Sequence, residues 1–412
     1  MNIAMLSYHT CPLATLGGKD TGGMNVYVRE LSRQLGAMGI HVDVFTRSQD
    51  EHVPHVIHSL GYGNRVVHIP AGPEYPVPKS ELINHIPEFC TGILGFAADK
   101  GIHYDLIHSH YWMSGMAALE LKQHWNSPIL QMFLTLGLMK TRSAQSPAEV
   151  EHGPRIDGEH RLLKEADCII AATQAELSQI TFLYQANPKQ TAVIPPGVDI
   201  SRFYPIPEDE AKEAIGMANE DCLVLFVGRI EPLKGIPTLL QAFSLLRQKG
   251  VIDCCAYRLA IIGGDPDATS GELTAEMSRL QAMSHDLGLD DLVIFMGKQD
   301  QDNLPYYYSA AEVVVVPSHY ESFGMVALEA MACGTPVVAS QVGGLAYLVQ
   351  DGVTGYVVPD GDPQLLADRL SALLSDVGLR QQMGDQAVMQ ARSYSWQAIA
   401  ERIQTVYQKL LK

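Results

Sequence analysis

Short β-branched runs alternate with helix-length amphipathic stretches along almost the whole of this 412-residue chain. Parallel strands are buried on both faces, so they read as continuous apolar runs, and each needs a crossover helix to reach its neighbour. In the first half, strands are predicted at 2–7, 42–46, 66–69, 106–109, 129–133, 168–171 and 192–194. Helices are predicted between them at 24–38, 81–98, 115–124, 155–165 and 175–184. The rhythm breaks between residues 194 and 207, where four prolines and one glycine read as a linker. A second series follows, with strands at 223–227, 258–262, 293–295, 313–316 and 337–339. Its helices fall at 237–247, 273–287, 324–332 and 363–374, and a last helix closes the chain at 395–411. The expected fold is α/β: two Rossmann-like doubly wound domains facing a central cleft.

Charge narrows the partners. Lys and Arg total 29 against 46 Asp and Glu, a formal charge of −17. Such a chain is a poor match for nonspecific nucleic-acid or anionic-membrane binding, but a few local cations still suit a small anion. The seven cysteines, at 11, 90, 168, 222, 254, 255 and 333, include no C-x-x-C pair and fit reduced thiols in a cytoplasm. The start, MNIAMLSYHT, lacks the basic and apolar regions of a signal peptide, and the longest apolar runs are strand-sized. A soluble cytoplasmic protein is expected.

In such sheets ligands meet the loops beyond the carboxyl ends of strands. Four of these loops carry candidate chemistry. LGGKDTGGMN follows the first strand and opens a helix; Gly22 and Gly23 there suit close approach to a phosphate, or form an ordinary flexible loop. VLFVGRIEPLKG ends a buried strand and places Arg229 and Lys234 around a helix start, as diphosphate partners or as solvated surface cations. In ESFGMVALEAMACGTP the segment 325–333 is apolar except for Glu329. A buried carboxylate there must meet a ligand, such as two ribose hydroxyls, or a structural donor. Glu321 stands in the preceding loop. HSHYWMSG offers His108 and His110 as metal ligands, as a satisfied structural pair or as hydrogen-bonding groups. Asp265 and Asp267 read as a solvated turn.

On these segments, and on VIPPGVDISRF, the chain resembles the retaining GT-B glycosyltransferases of family 4 over nearly its whole length. Its nearest branches are the inositol-phosphate N-acetylglucosaminyltransferases and the sucrose-phosphate synthases. The resemblance implies a first domain of residues 1–196, a second of 197–393, and a helix 394–412 that packs back on the first. It implies a UDP-sugar donor, with Arg229 and Lys234 on the diphosphate and Gly22 and Gly23 beside it. Glu329 would bind the ribose and Glu321 the transferred sugar; Ser322, Phe323 and Gly324 would line the donor, and backbone around Lys298 would read uracil. Asn25, Lys79, His110, Tyr111, Thr135, Lys140 and Arg155 would hold a phosphorylated acceptor. Leu134 stands where the family normally has a histidine that lines the donor sugar.

The implied reaction moves a hexosyl unit, best glucose, onto fructose 6-phosphate. An inositol phosphate is the alternative acceptor; a UDP-sugar 2-epimerase and an inactive binding protein are further alternatives. No metal, cofactor or stable membrane association is expected, and residues 80–100 lack the basic face of an interfacial helix.

Overall fold

The computed structural model describes residues 1–14, 22–144, 150–151, 153–252, 257–264 and 272–412. The chain divides into two compact units. One comprises the described residues up to Pro196 together with Trp396–Lys412; the other is Gly197–Ser395.

The first unit is built on eight strands: β1 (Asn2–Leu6), β2 (His41–Arg47), β3 (Val56–Ile57), β4 (Arg65–Ile69), β5 (Leu106–His110), β6 (Ile129–Met132), β7 (Cys168–Ala171) and β8 (Thr191–Val193). Their order is β3-β4-β2-β1-β5-β6-β7-β8, with β3 antiparallel to β4 and the other neighbours parallel. The second unit carries β9 (Cys222–Val227), β10 (Tyr257–Ile262), β11 (Val293–Gly297), β12 (Val313–Val316), β13 (Val337–Ser340) and β14 (Gly355–Val358). Their order is β11-β10-β9-β12-β13-β14, parallel throughout. Central strands are buried on both faces, as Ile3–Leu6 and Val313–Val316 show. Each sheet has one switch point, where the chain leaves a strand to one side and later returns on the other. These lie between β1 and β5, and between β9 and β12.

Several elements differ from the sequence reading. The single helix expected at 81–98 is instead a helix Lys79–Leu82, a 3-10 turn Ile83–His85 and a helix Ile86–Lys100. Pro87 explains the break, because its ring tolerates only the first turn of a helix. Short elements without their own periodicity escaped the sequence: β3, β14 and the helices Gly137–Arg142, Glu208–Ala214, Leu304–Ala310 and Leu345–Leu348. The longer helix Val377–Arg392 also escaped, its apolar face being narrow. The cysteines at 11, 90, 168, 222 and 333 are free thiols; Cys254 and Cys255 lie outside the described residues, as do Asp265 and Asp267. Among the described residues, no helix is long and apolar enough to cross a membrane.

His110 must be reassigned. His108 and His110 share one face of β5, as residues two apart on a strand do, and both are fully buried. Their ring centroids are 4.3 Å apart. His108 Nδ1 lies 2.7 Å from the Tyr407 hydroxyl on the final helix Trp396–Leu410. The His110 ring packs on Tyr27, which in turn meets Trp396. This face is covered by the helices Gly23–Ala37 and Trp396–Leu410, which pack on each other, so His110 belongs to the core and not to an acceptor site.

Burial holds His108 well below the usual histidine range, with His110 adding repulsion, and burial takes His110 down to about 3. The unfolded chain takes up these protons below about pH 6.5 while the folded unit refuses them, so stability present at neutral pH is lost as pH falls. The expected loss is up to about 1.4 kcal/mol per pH unit for each histidine below about pH 6.5, for His110 down to about pH 3. All three tryptophans, Trp112, Trp125 and Trp396, lie in this unit, so their fluorescence follows its unfolding alone. A thermal midpoint that stays flat from pH 7 to 4 would contradict a buried neutral pair.

Candidate active site

At the switch point of the second unit, the loop after β9 lies directly against the loop after β12. Gly235 sits at φ 67°, and a Cβ there would come within 1.9 Å of the Pro317 carbonyl oxygen, so only glycine allows the approach. The His319 N–H donates to the Leu233 carbonyl at 2.9 Å and ties the loops together. Across them Lys234 Nζ bonds Glu321 Oε2 at 2.6 Å, and Arg229 pairs with Glu231 at 2.8 Å. The Glu321 carbonyl also accepts from the Gly344 N–H at 3.0 Å, so the loop after β13 fixes this residue as well. Arg229, Lys234 and Glu321 thus come together on two adjoining strand ends.

Glu329 is buried on the helix Met325–Ala332 and accepts a hydrogen bond from the Tyr308 hydroxyl at 2.9 Å. This tyrosine escaped the sequence reading. The signal was available: a carboxylate in an apolar helix requires a donor, and the run Tyr306-Tyr307-Tyr308 supplies hydroxyls. Burial raises Tyr308 well above the usual tyrosine range, and the Glu329 charge adds to it, so the hydroxyl remains a donor.

Phe323 is corrected: its ring is buried and packs on Tyr394 at 5.9 Å, which leaves only its backbone for a ligand. Ser322 Oγ lies 3.3 Å from the Tyr320 hydroxyl. Gly324 caps the helix at φ 104°. Lys298 is exposed just beyond β11, where the Gly263 N–H donates to the Gly297 carbonyl at 2.8 Å.

The first unit gathers cations at its own switch point. Arg155 and Glu159 are one turn apart on the helix Pro154–Glu165 and bond at 2.9 Å from Nε. Arg155 Nη2 donates to the Thr135 carbonyl at 3.1 Å and to its hydroxyl at 3.0 Å, and Nη1 donates to Glu151 at 2.8 Å. Lys140 Nζ meets the same Glu151 oxygen at 3.1 Å. The Tyr111 ring sits between cations, with Lys79 Nζ 4.7 Å and Arg155 Cζ 5.1 Å from its centroid. His9 packs on that ring at 4.6 Å. Burial holds His9 well below the usual histidine range, and Lys79 and Arg155 press it further. For Glu151, burial works to raise the pKa but is outweighed by Arg155, Lys140 and Lys79, so the carboxyl lies below the usual range.

Behind this cluster Glu159 also accepts from the Gly137 N–H and the Tyr184 hydroxyl. A Cβ on Gly137 would crowd Ile156 at 2.6 Å and Arg155 Nε at 3.1 Å, which accounts for the glycine. Lys79, Tyr111, Thr135, Lys140 and Arg155 are therefore brought together. His9, Glu151, Glu159 and Tyr184 join them and were missed, because nothing local in the sequence marks their meeting. Asn25 is corrected. It is fully buried; its Oδ1 accepts from the Gly22 N–H at 2.9 Å, and its Nδ2 donates to Thr10 Oγ1 and the Cys11 carbonyl at 2.7 Å. With these bonds made, it shapes the loop that presents Gly22 and Gly23 and does not face an acceptor.

Two of the strand ends carry left-handed backbone on large residues, Tyr111 at φ 71° after β5 and Leu134 at φ 64° after β6. Non-glycine residues there store strain, which collects at functional sites. Among the described residues, no group of three or more His, Cys, Asp or Glu is placed to hold a metal ion.

Two parallel-sheet α/β units of this kind make the GT-B fold, and the comparisons agree. The model for Glycosyltransferase Family 4 matches residues 21–202, and that for Glycosyl transferases group 1 matches residues 207–389. The chain belongs to this glycosyltransferase family and is a sugar-transferring enzyme. It is 38% identical over 406 residues to the D-inositol 3-phosphate glycosyltransferase of Actinosynnema mirum, covering 98% of this chain and 96% of the relative. It is 40% identical over 410 residues to that of Acidothermus cellulolyticus, covering 99% and 90%. Sucrose-phosphate synthase from Thermosynechococcus elongatus is similar in structure at a TM-score of 0.90 and 35% identity, covering 99% of this chain and 98% of that one. Anabaena HepE in complex with UDP-glucose shares the fold, at a TM-score of 0.75 and 20% identity over 99% of this chain and 100% of that one.

Tyr308→Phe removes one donor to the buried Glu329 carboxylate. It is expected to destabilise the second unit by about 1–3 kcal/mol. Chemical denaturation followed by circular dichroism checks this, and unchanged stability would mean the bond contributes nothing.

Proposed function

We propose that this glycosyltransferase moves a hexosyl unit from a UDP-sugar, with glucose as the first choice, to a phosphorylated small sugar or polyol, with retention at the transferred carbon. The observation that carries the acceptor class is the convergence of Lys79, Lys140 and Arg155 around Tyr111 and Glu151, in a chain whose net charge is −17. Three cations at one strand edge of so acidic a protein suit a phosphate.

On the donor side, Arg229 and Lys234 would neutralise the diphosphate. Glu329 would take the ribose hydroxyls and Glu321 those of the hexose, while the backbone near Ser322, Phe323, Gly324 and Lys298 completes the nucleotide contacts. Among the described residues, no side-chain pair reads as a double-displacement nucleophile and base. The reading is front-face transfer: the leaving diphosphate accepts the proton of the acceptor hydroxyl as an oxocarbenium-like sugar forms, and catalysis rests on positioning and charge stabilisation. With these cations in place, the reaction needs no metal.

Fructose 6-phosphate is the first acceptor, giving sucrose 6-phosphate. It is supported by the 35% identity to Thermosynechococcus sucrose-phosphate synthase and by Gly137 following Leu136. An inositol phosphate is the second reading, favoured by relatives of that name at 38% and 40% identity over nearly the whole chain.

Incubation of the protein with UDP-glucose, fructose 6-phosphate, inositol phosphate and their unphosphorylated parents, all in EDTA, tests the reading. UDP release with one phosphorylated acceptor is expected. An isomerised sugar nucleotide, or equal rates with the unphosphorylated parents, would refute it, and loss of all turnover until Mg²⁺ is returned would refute metal independence. Lys234→Ala should weaken UDP binding by about 1.5–3 kcal/mol, the range for a charged hydrogen bond; calorimetry showing equal affinity would remove Lys234 from the diphosphate. Leu134→His should raise turnover with little change in UDP affinity. It restores a hydrogen-bonding ring beside the hexose, and histidine tolerates left-handed backbone better than leucine does. A variant no faster than the parent would show that this position does not face the sugar.

A further inference from the structure

Glu151 is a partly exposed acid in the cationic cluster, and the proposed reaction leaves it without a task. The accounting of Arg155 defines its position. A guanidinium has five N–H donors in a rigid fork. Here Nε goes to Glu159, the two N–H groups of Nη2 to the carbonyl and hydroxyl of Thr135, and one of the two on Nη1 to Glu151. The Glu159 bond is fully buried and shared with Gly137 and Tyr184, and the Thr135 bonds run to the loop after β6. Neither can yield without unmaking the local fold. One face of the fork is turned to the Tyr111 ring. Only the edge that meets Glu151, a partly exposed side chain ahead of the helix, is exchangeable. Lys140 meets the same Oε1 atom, so one carboxylate oxygen bridges the two cations, 2.8 Å from one and 3.1 Å from the other. Its charge also lies within the field of Lys79.

We propose that Glu151 is an internal stand-in for the acceptor's phosphate, and that the acceptor binds by exchanging its phosphate for this carboxylate on Arg155 and Lys140. The inference rests on the reading of this cluster as an acceptor-phosphate site. It makes Glu151 a specificity residue. An incoming group must outcompete a tethered carboxylate for the same donors, which a phosphate dianion does with its greater charge and a neutral hydroxyl or a second carboxylate does not. The carboxylate also offsets the mutual repulsion of three cations, so the cradle keeps its shape between acceptors. The cost is a lower apparent affinity for the phosphate itself.

Calorimetric titration of inorganic phosphate, at constant ionic strength, into the full-length protein and its Glu151→Gln and Glu151→Ala variants tests the exchange. Tryptophan fluorescence reports in parallel that the first unit remains folded. Phosphate is expected to bind both variants more tightly than the parent, by about tenfold for the loss of one competing charge pair. A role confined to holding the shape of the cradle would instead weaken binding when Glu151 is removed. Phosphate that binds the parent but binds both variants equally or more weakly overturns the exchange and leaves the phosphate site standing. Phosphate that binds none of the three proteins overturns both.

Discussion

A parallel sheet that is apolar on both faces leaves its chemistry almost nowhere to go. Strand residues and the helices over them are committed to the core, as Ile3–Leu6 and Val313–Val316 are, and polar groups on those faces become structural. His108 and His110 show the rule at its most severe: two imidazoles on β5 are held neutral by the helices above them. Ligand contacts are therefore confined to the strand ends, and most strongly to the switch points where loops diverge. Arg229, Lys234 and Glu321 collect at one such point, and Tyr111, Thr135, Lys140 and Arg155 at the other.

At both points the cations are already bonded to acids of the chain. Lys234 is held by Glu321, and Lys140 and Arg155 by Glu151. Desolvated charges require partners, and an acidic protein has carboxylates to spare. The partners fix the side chains where they stand, and an incoming anion has to compete with them. Glu159 is different in kind: it is deeper, receives donors from Gly137, Tyr184 and Arg155 together, and orients the fork itself.

Much of the fold was legible because strand-length apolar runs and amphipathic helices carry their own period. The order of the strands was not, nor were elements too short to show a period, such as β3, β14 and the helix Gly137–Arg142. The candidate site could be picked out where a residue type is unusual in its setting: Glu329 in an apolar helix, or Arg229 and Lys234 at the end of a buried strand. It was illegible where the meaning lies in a tertiary meeting. Tyr308 reaches Glu329 across 21 positions, and His9 reaches Tyr111 from another strand end. The misplaced residues, His110, Asn25 and Phe323, are polar or aromatic groups in the right motifs whose side chains turn inward. A motif fixes the position of the backbone and leaves open which way each side chain points.

The last seventeen residues of the chain, Trp396–Lys412, are counted with the first unit although all of Gly197–Ser395 intervenes. The bond between His108 and Tyr407 closes a loop of 299 positions. A ribosome releases the chain from its amino end, and domains ordinarily fold as they emerge. Here the first sheet must wait for a segment made after the whole second unit: until Trp396–Leu410 emerges, the face of β5 bearing its two imidazoles lacks one of the helices that cover it. The second unit is complete before the first can be. The unit that begins first is thus the later one to be completed, and loss of the helix Trp396–Leu410 would leave its sheet with the polar seam of β5 open.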